Sequence, residues 1–479
     1  MLLSHLKPER VFYYFEKLTQ IPRESGKEAA VAQYLEDTAK SLGLEVVREA
    51  CNNIIIKKPA APGYESIPAV IFQGHTDMVC VKTDGSNHNF DTDPIQLILD
   101  GDWISTKDTT LGADNGIAVA MTMALLEDSE LKAPELIALF TVAEETGMDG
   151  AIALNPELVK GGTLINLDSE EEGVLLASNA GGANLDVILP VKWVSIDLPK
   201  AYAITIKGLK GGHSGIEIDK NRANAIKLLG RLLELIDIEK LAILHAEGGE
   251  KMNAIAKRAS IHLATNVDVK QMHQALEPIE SMFKAEFAVS DPDLSIEFSE
   301  IATSKLAWSD DTLHGFVTLS RLLPQGVQTM SSSITGLVES SNNIGVLVAN
   351  HATIRFVNAL RSSVASLKEE MVNRIALIAS LVDADHKRYA DYPEWPYRLN
   401  SPIRDLMVKT YADLYGKEMQ VHAIHAGLEC GLLSEKLGDM DMISLGPNMH
   451  DVHTPFERVS ISSVANVYQF IEEILKRMI

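Results

Sequence analysis

Apolar and polar positions alternate in short, regular blocks along the first third of the chain. Apolar runs bounded by polar residues or glycine predict strands at 44–47, 53–56, 69–73, 136–141 and 163–167. Helical spacing of apolar residues predicts helices at 8–20, 27–42 and 115–127. Strands that alternate with helices predict a parallel, doubly wound sheet. In such a sheet, binding sites lie beyond the carboxyl ends of the strands.

The pattern changes after Gly181-Gly182. Strand-like runs occur at 184–193, 203–207, 294–298, 333–340 and 343–359. Helical periodicity occurs at 222–237, 270–287, 311–324 and 365–383. Because the order strand, helix, two strands, helix recurs, we predict a βαββα unit that is used twice, with the second copy beginning at 294–298.

The last part of the chain returns to the α/β pattern of the first. A linker is predicted at Asp391–Pro396, and it is followed by elements at 401–415, 419–424, 442–445 and 461–478. A further helix is expected to open at His425–Gly431. The simplest architecture is one α/β domain formed by residues 1–183 and 393–479 and interrupted by an α+β insertion at 184–392.

Composition excludes several classes of protein. The formal net charge of −23 argues against non-specific binding to nucleic acid. No apolar run approaches the ~20 residues of a membrane helix, and the first residues lack a signal-peptide pattern. The three cysteines form no closely spaced pair, which fits a reducing cytoplasm. We therefore expect a cytoplasmic protein that binds neither nucleic acid nor membrane.

Ionisable residues follow the predicted strands at the edge where a site is expected. His75 and Asp77 are two residues apart, so a strand would direct both to the same face. Imidazole and carboxylate ligands together suit zinc, manganese or cobalt. Five or more converging ligands suit two ions that lie ~3.5–4 Å apart. The candidate ligands and their neighbours are His75, Asp77, Asp114, Glu144, Glu145, Asp168 and His453.

Each of these residues also fits an ordinary structural role. Asp and Asn are favoured at helix starts, and acidic pairs are common in solvated loops. The shared position of the residues at one predicted edge is what favours a site. The ordinary alternatives are a helix cap at Asp114, a solvated pair at Glu144 and Glu145, an acidic loop around Asp168, and surface positions for His450 and His453.

The motifs resemble those of the dinuclear-zinc peptidase and aminoacylase family, which includes carboxypeptidase G. The likeness runs over almost the whole length, in order, and is closest to the aminoacyl-histidine dipeptidases, which are carnosinase-like enzymes. It implies a phosphorylase/hydrolase-like α/β catalytic domain with a mostly parallel sheet, interrupted by an α+β lid with a doubled βαββα unit. The segments that carry it are "GHTDMV", "LGADNGIAVA", "TVAEETGMDGA", "NLDSEEEG", "KGGHSG", "HAGLECG" and "VHTPFERV".

The resemblance also implies roles for the candidate residues. Asp77 would orient His75, and Glu144 would be the general base and then the proton donor to the leaving amine. His453 matches the family's histidine position, with His450 as the rival. The implied ligands of two divalent ions, most readily zinc with manganese or cobalt as alternatives, are His75 and Asp168 for one, Glu145 and His453 for the other, and Asp114 between them.

Four further residues are expected to bind substrate by the same resemblance. His213 in "KGGHSG" would reach the oxyanion, and Asn253 would be a polar contact. Arg361 would hold the substrate carboxylate as a bidentate partner, with Arg355 as the competing choice. Glu429 would meet the substrate's amino group. Each of these residues also fits an ordinary surface, strand or helix-start position.

The resemblance implies a metal-dependent dipeptidase for aminoacyl-histidine dipeptides, including β-Ala-His. The alternatives within the same chemistry are a broad dipeptidase or tripeptidase and an N-acyl amino acid deacylase. An inactive binding protein with the same fold is the alternative from another class. The partner is then a small peptide substrate, and the choice between a monomer and a possible homodimer stays open.

Overall fold

The computed structural model describes residues 2–478, and the chain forms two compact units. The second unit comprises Ala180–Pro396 and Ile424–Gly427, and the other described residues form the first. The chain passes from the first unit to the second near residue 180 and returns near residue 396. These positions lie a few residues from the predicted domain boundaries at 183/184 and 392/393. The return of residues 424–427 to the second unit was not predicted.

The described residues form the following helices and strands. The α-helices are α1 Glu9–Leu18, α2 Ala29–Ser41, α3 Ala113–Glu127, α4 Glu144–Gly147, α5 Asp149–Ala153, α6 Ala225–Leu235, α7 Val269–Glu286, α8 Asp310–Leu322, α9 Ala365–Ser380, α10 Pro402–Tyr415, α11 Glu429–Leu437 and α12 Ile461–Arg477. The strands are β1 Glu45–Arg48, β2 Ile54–Lys58, β3 Val70–His75, β4 Leu97–Asp100, β5 Trp103–Thr106, β6 Leu136–Thr141, β7 Thr163–Asn166, β8 Val174–Asn179, β9 Gly181–Pro190, β10 Trp193–Ser195, β11 Lys200–Lys207, β12 Leu241–Gly248, β13 Ala259–Thr265, β14 Ser295–Ile301, β15 Leu306–Trp308, β16 Gly326–Met330, β17 Val338–Ala349, β18 Thr353–Ser362, β19 Asp385–Tyr392, β20 Gln420–Ile424, β21 Asp441–Ser444, β22 Met449–His450 and β23 Arg458–Ser460.

The first unit is built on an eight-stranded sheet with the order β1-β2-β6-β3-β7-β21-β8-β20. Its central strands β6, β3, β7 and β21 pair in parallel, whereas β1, β2 and β8 pair antiparallel. Strands β3 and β6 are buried along their whole length, as their continuous apolar runs require. The predicted α/β class is confirmed, with parallel pairing at the centre of the sheet.

Helices cover this sheet through their apolar sides. Helix α3 is buried from Asn115 to Leu126, as expected for a helix that is apolar on nearly every side. Helix α1 is amphipathic, and it buries Val11, Phe12 and Phe15 in the same core. A small sheet of β22, β23, β5 and β4 brackets the turn from 451 to 457, which carries His453. Its strands β4 and β5 were not predicted.

The second unit contains a doubled motif within a continuous antiparallel sheet, ordered β14-β11-β13-β12-β17-β18-β9-β19. One copy is β11-α6-β12-β13-α7-β14, and the other is β9-α8-β17-β18-α9-β19. Each copy has the strand order of a split βαβ fold, and β12 joins the copies by pairing with β17. The doubling is therefore present, but the first copy is inserted into the second copy, after its first strand β9.

Two local predictions in this unit are wrong, and one strand was not predicted. The strand predicted at 294–298 closes the first copy as β14, and the second copy begins with β9 instead. The run at 333–340 is largely a turn that leads into β17. Strand β19 was not predicted, because it is a polar edge strand that lacks the apolar alternation of a half-buried strand, and it includes the first two residues of the linker predicted at Asp391–Pro396. None of the described helices is long and apolar enough to cross a membrane.

Candidate metal centre

Three neighbouring strands of the first unit bring the predicted ligands together. Strand β3 ends at His75, which pairs in register with Thr141 at the end of β6. The chain after β6 carries Glu144 and Glu145, and the chain after β7 carries Asp168. Because the three strands are parallel neighbours, these side chains meet at one edge of the sheet.

Asp114 contacts both histidines through different oxygens. Its Oδ1 lies 3.2 Å from His75 Nε2, and its Oδ2 lies 3.1 Å from His453 Nε2. Asp168 Oδ1 lies 3.5 Å from His75 Nε2, and Glu145 Oε1 lies 2.9 Å from His453 Nε2. Three overlapping groups of potential ligand atoms result: His75, Asp114 and Asp168; His75, Glu144 and Glu145; and Asp114, Glu145 and His453.

The structure brings His453 to this cluster and leaves the rival His450 elsewhere. His450 is exposed in β22, where its ring packs 5.2 Å from the ring of Trp103. His453 adopts a φ of 61°, a left-handed conformation that is uncommon for residues other than glycine. Ala143, immediately before Glu144, has a similar φ of 52°. Left-handed residues of this kind cluster at functional sites.

Asp77 lies behind His75, away from the other carboxylates. Its Oδ1 is 3.3 Å from His75 Nδ1, and Ser25 Oγ and the N–H groups of Glu144 and Glu145 donate to it. Burial alone would raise the pKa of Asp77, but the hydrogen bonds from His75, Ser25 and Glu144 lower it to about 2. A fixed carboxylate in this position orients the imidazole ring of a metal-binding histidine.

In the second unit, His213 and Asn253 lie on two loops that pair with each other. The N–H of Ser214 donates to the carbonyl of Asn253 at 2.9 Å, and His213 pairs with Ala254. The N–H groups of Gly215 and Ile216 donate to His213 Nδ1 at 3.2 and 3.1 Å. Because Nδ1 accepts, the proton of the neutral ring lies on Nε2.

The two candidate arginines of β18 have different partners. Arg355 pairs with Asp186 at 3.1 Å, so a carboxylate already compensates its charge. Arg361 donates to the phenol oxygen of Tyr392 at 3.0 Å. The charge of Arg361 also acts on His213, whose pKa is lowered first by burial and then by this arginine. These contacts favour Arg361 over Arg355 as the group available to an anion.

Comparison with known proteins adds an independent finding. A model of peptidase family M20/M25/M40 matches residues 71–477. The cytosol non-specific dipeptidase of Escherichia coli is 36% identical over 482 residues, which cover 99% of both chains. The chain belongs to peptidase family M20. It is therefore a metal-dependent peptidase, and the resemblance inferred from the sequence is confirmed.

Solved structures agree with this family membership. The aminoacylhistidine dipeptidase of Vibrio alginolyticus is 34% identical, with a TM-score of 0.93 and coverage of 99% of this chain and 97% of that one. The aminopeptidase PepT of Bacillus cereus is 16% identical, with a TM-score of 0.57 and 99% coverage of both chains, and this shows the fold alone. The predicted combination of a catalytic domain with a lid domain is thus the fold of this M20 chain.

The charges at the cluster fit divalent cations. Burial raises the pKa of Glu144 and of Asp168, and although His75 opposes the rise, neighbouring carboxylates add to it. Hydrogen bonds with Asp114 and Glu145 raise the pKa of His453 to about 11. Several carboxylates that share one poorly solvated space need a counter-charge. With imidazole nitrogens beside them, they form a donor set that suits a divalent metal ion.

A buried row of hydrogen-bonded polar side chains joins the strands that precede the candidate ligands of this M20 chain. Gln73 Nε2 and Thr141 Oγ1 donate to the fully buried Glu429 at 2.6 and 2.8 Å. Asn166 Nδ2 donates to Gln73 Oε1, and Ser444 Oγ donates to Asn166 Oδ1. Burial raises the pKa of Glu429 to about 7. Glu429 thus binds the strands of the sheet, and its predicted contact with a substrate amine stays a prediction.

Sequence reasoning missed several residues of this site. Asn115 Oδ1 accepts from the N–H of His75, and its Nδ2 donates to the carbonyl of Leu167. A side chain at Gly74 would collide with Asn115, which explains the glycine in "GHTDMV". Glu457 and Arg23, which contact the backbone of the loop that carries Asp114, were missed as well. Asn115 and Glu457 lie inside quoted motifs, so their positions were visible in the sequence. Arg23 lies in no recognised motif.

Proposed function

We propose that this peptidase hydrolyses dipeptides, with aminoacyl-histidine dipeptides such as β-Ala-His as preferred substrates, and that it uses two divalent metal ions, most readily zinc. The single observation that carries the two-metal proposal is the position of Asp114 between His75 and His453. His75 and Asp168 would hold one ion, Glu145 and His453 the other, and Asp114 would bind both. Manganese and cobalt fit the same donor set.

Bound ions would supply the Lewis acidity that polarises the scissile carbonyl and lowers the pKa of the attacking water. Glu144 would accept a proton from that water and pass it to the leaving amine, as a general base and then a general acid. Asp77 would keep His75 in the orientation that presents Nε2 to the carboxylates. His213, whose proton lies on Nε2, would donate to the oxyanion that develops on the carbonyl.

Substrate recognition by Arg361 and Asn253 belongs to the same proposal. A guanidinium can bind a terminal carboxylate through two parallel hydrogen bonds. A small peptide with a free carboxylate is the ligand that such a group would select. The names of the two relatives differ on specificity: one is called non-specific and the other aminoacylhistidine. A broad dipeptidase is therefore the second candidate.

A substrate panel with β-Ala-His, Gly-His, Ala-Leu, Ala-Ala-Ala and N-acetyl-Ala tests the proposal. We expect cleavage of the two histidine dipeptides that chelator abolishes and added zinc or manganese restores. Equal cleavage of Ala-Leu would establish the broad dipeptidase instead. Cleavage of N-acetyl-Ala in preference to the dipeptides would identify a deacylase, because that substrate lacks a free amine.

Location and assembly complete the proposal. We place the protein in the cytoplasm, because the Escherichia coli relative is named as a cytosolic enzyme. Cell fractionation checks this location. Assembly as a monomer or a homodimer stays a prediction, and sedimentation equilibrium of the purified chain distinguishes the two.

A further inference from the structure

Two buried charged side chains outside the ligand set contact the loop that carries Asp114. We name this loop, Leu111–Asp114, the ligand loop. Glu457 and Arg23 are each only 2% exposed. The cost of burying a charge is high unless hydrogen bonds compensate it, so both residues need a specific reason to be there.

Glu457 binds every backbone N–H of the ligand loop. Its Oε2 accepts from Leu111 at 2.7 Å and Gly112 at 3.0 Å, and its Oε1 accepts from Ala113 at 2.8 Å and Asp114 at 3.2 Å. The loop precedes and opens helix α3, where backbone N–H groups lack helical partners. Glu457 is four residues after His453, so one turn supplies both a candidate ligand and the acceptor that fixes another.

Arg23 binds carbonyl oxygens on two segments that carry candidate ligands. Its Nη1 donates to the carbonyls of Thr76 and Asp77 at 2.9 and 3.0 Å, and its Nη2 donates to the carbonyl of Gly112. The first two carbonyls directly follow His75, and the third belongs to the ligand loop. Arg23 thereby fixes the end of β3 and the ligand loop relative to each other.

The glycines of "LGADNG" leave the space that the guanidinium occupies. A Cβ at Gly112, whose φ is 71°, would lie 2.5 Å from Arg23 Nη2, and one at Gly116 would lie 2.6 Å from the same atom. Both glycines flank Asp114 in the sequence. The close packing shows that the guanidinium and the ligand loop fit each other without room for a larger residue.

We propose that Glu457 and Arg23 are positioning residues that hold Asp114 where its two carboxylate oxygens face His75 and His453. The inference rests on the metal role given to Asp114 under the proposed function. Asp114 must present one oxygen to each side, so a small rotation of its backbone would weaken both ion sites together. Glu457 fixes the N–H groups of the loop and Arg23 fixes a carbonyl, which leaves the peptide units little freedom to rotate.

Conservative variants with matched controls test the proposal. Glu457→Gln replaces an acceptor oxygen with a donor that faces backbone N–H groups, and Arg23→Lys cannot span the same carbonyls. Glu16→Gln is the carboxylate control, because Glu16 accepts from the N–H groups of Leu2 and Leu3 away from the site. Arg404→Lys is the arginine control, because Arg404 donates to the carbonyls of Arg398 and Leu399.

The measurement is zinc affinity, determined by competition with a chromophoric chelator far below the unfolding temperature. We expect the two site variants to lose about 10–100-fold in affinity for both ions, and excess zinc to restore much of kcat. The controls should keep the zinc affinity of the parent protein even where their thermal midpoints fall. Gly116→Ala, which keeps both charges and displaces the guanidinium, should weaken zinc binding in a protein that folds normally.

Two results would overturn the inference. The first is zinc binding by the folded Glu457 and Arg23 variants that is as tight as in the parent; if those variants do not fold, the same result for Gly116→Ala counts. The two residues would then serve only the stability of the fold. If the parent itself binds no divalent ion, the proposed function fails as well. The zinc affinity of the parent therefore separates failure of this inference from failure of the function.

Discussion

The candidate metal ligands of the first unit and the candidate substrate-binding residues of the second unit include similar residue types, but the charge states of their histidines differ. In the first unit, carboxylates crowd two histidines, and hydrogen bonds to these acids raise the pKa of His453 to about 11. In the second unit, burial and the charge of Arg361 lower the pKa of His213, and they lower that of His425 to about 3. The first arrangement attracts cations, whereas the second keeps histidines neutral beside an arginine.

The backbone elements and hydrogen bonds that hold these two groups of residues in place also differ. His75, Glu144, Glu145 and Asp168 follow parallel strands, and the N–H of Asp168 donates to Asn166 in a buried polar row that also includes Gln73 and Thr141. His213 lies on a glycine-rich loop and accepts from backbone N–H groups. A rigid ligand set suits metal binding, because ligands must hold their geometry. Neutral donors beside an arginine suit binding of a carboxylate and an oxyanion.

The largest effect should come from Glu144→Gln, which removes the proposed base and retains the shape of the side chain. We expect kcat to fall by about 10²–10⁴-fold, the usual contribution of general acid–base catalysis. The bound metal should stay at the parent level, which separates loss of the base from loss of ligands. Glu171→Gln, in the exposed acidic loop, is the control. Parent-like turnover by Glu144→Gln would remove the residue from the mechanism.

His213→Ala should reduce kcat by about 10²–10³-fold, as measured for loss of one oxyanion donor elsewhere. The metal content should not change, because His213 belongs to the second unit. His273→Ala, on the exposed side of α7, is the matched control. If His213→Ala lost metal together with activity, the division of roles between the two units would be wrong.

Arg361→Lys should raise KM more than it lowers kcat. A hydrogen bond to a charged group contributes about 1.5–3 kcal/mol, so loss of one such bond predicts about a tenfold or greater rise in KM. Arg355→Lys should leave KM unchanged, because Arg355 is already paired with Asp186. A rise in KM for Arg355→Lys, with no rise for Arg361→Lys, would identify Arg355 as the partner of the substrate carboxylate.

The last prediction concerns the effect of pH on stability and involves no change in turnover. The pKa of His425 is lowered to about 3 in the folded protein, mainly by burial, so the unfolded chain binds its proton first as pH falls. Stability from the neutral ring is therefore complete above about pH 6.5 and is lost as pH falls from there towards 3. In metal-free protein, His425→Gln should flatten the fall of the thermal midpoint across this window. Replacement of the exposed His386 is the control, and an equal slope for both variants would contradict the prediction.

The sequence predicted those parts of the site that follow regular strands. His75, Glu144 and Asp168 were expected together because apolar runs identify strands and parallel strands share an edge. Arg23 and Glu457 were missed because their partners are backbone atoms, which leave no residue-type pattern. Their contacts depend on loops that are distant in the chain.

The errors in the second unit have a related cause. Strands β9 and β14 were assigned to the wrong copies, because chain order suggests neighbouring strands and the sheet pairs distant ones. Strand β19 was missed because an edge strand exposed to solvent needs little apolar alternation. Local periodicity predicts that an element exists, but it does not predict with which strand that element pairs.

The most direct test of the central claim is the number of metal ions that each chain binds. Metal-free protein would be titrated with zinc, and bound metal would be measured by elemental analysis for the parent, Glu144→Gln and Asp114→Asn. We predict two ions per chain for the parent and for Glu144→Gln, and loss of both for Asp114→Asn. A single ion in the parent, or two ions retained without the Asp114 carboxylate, would contradict a two-metal centre joined by that residue.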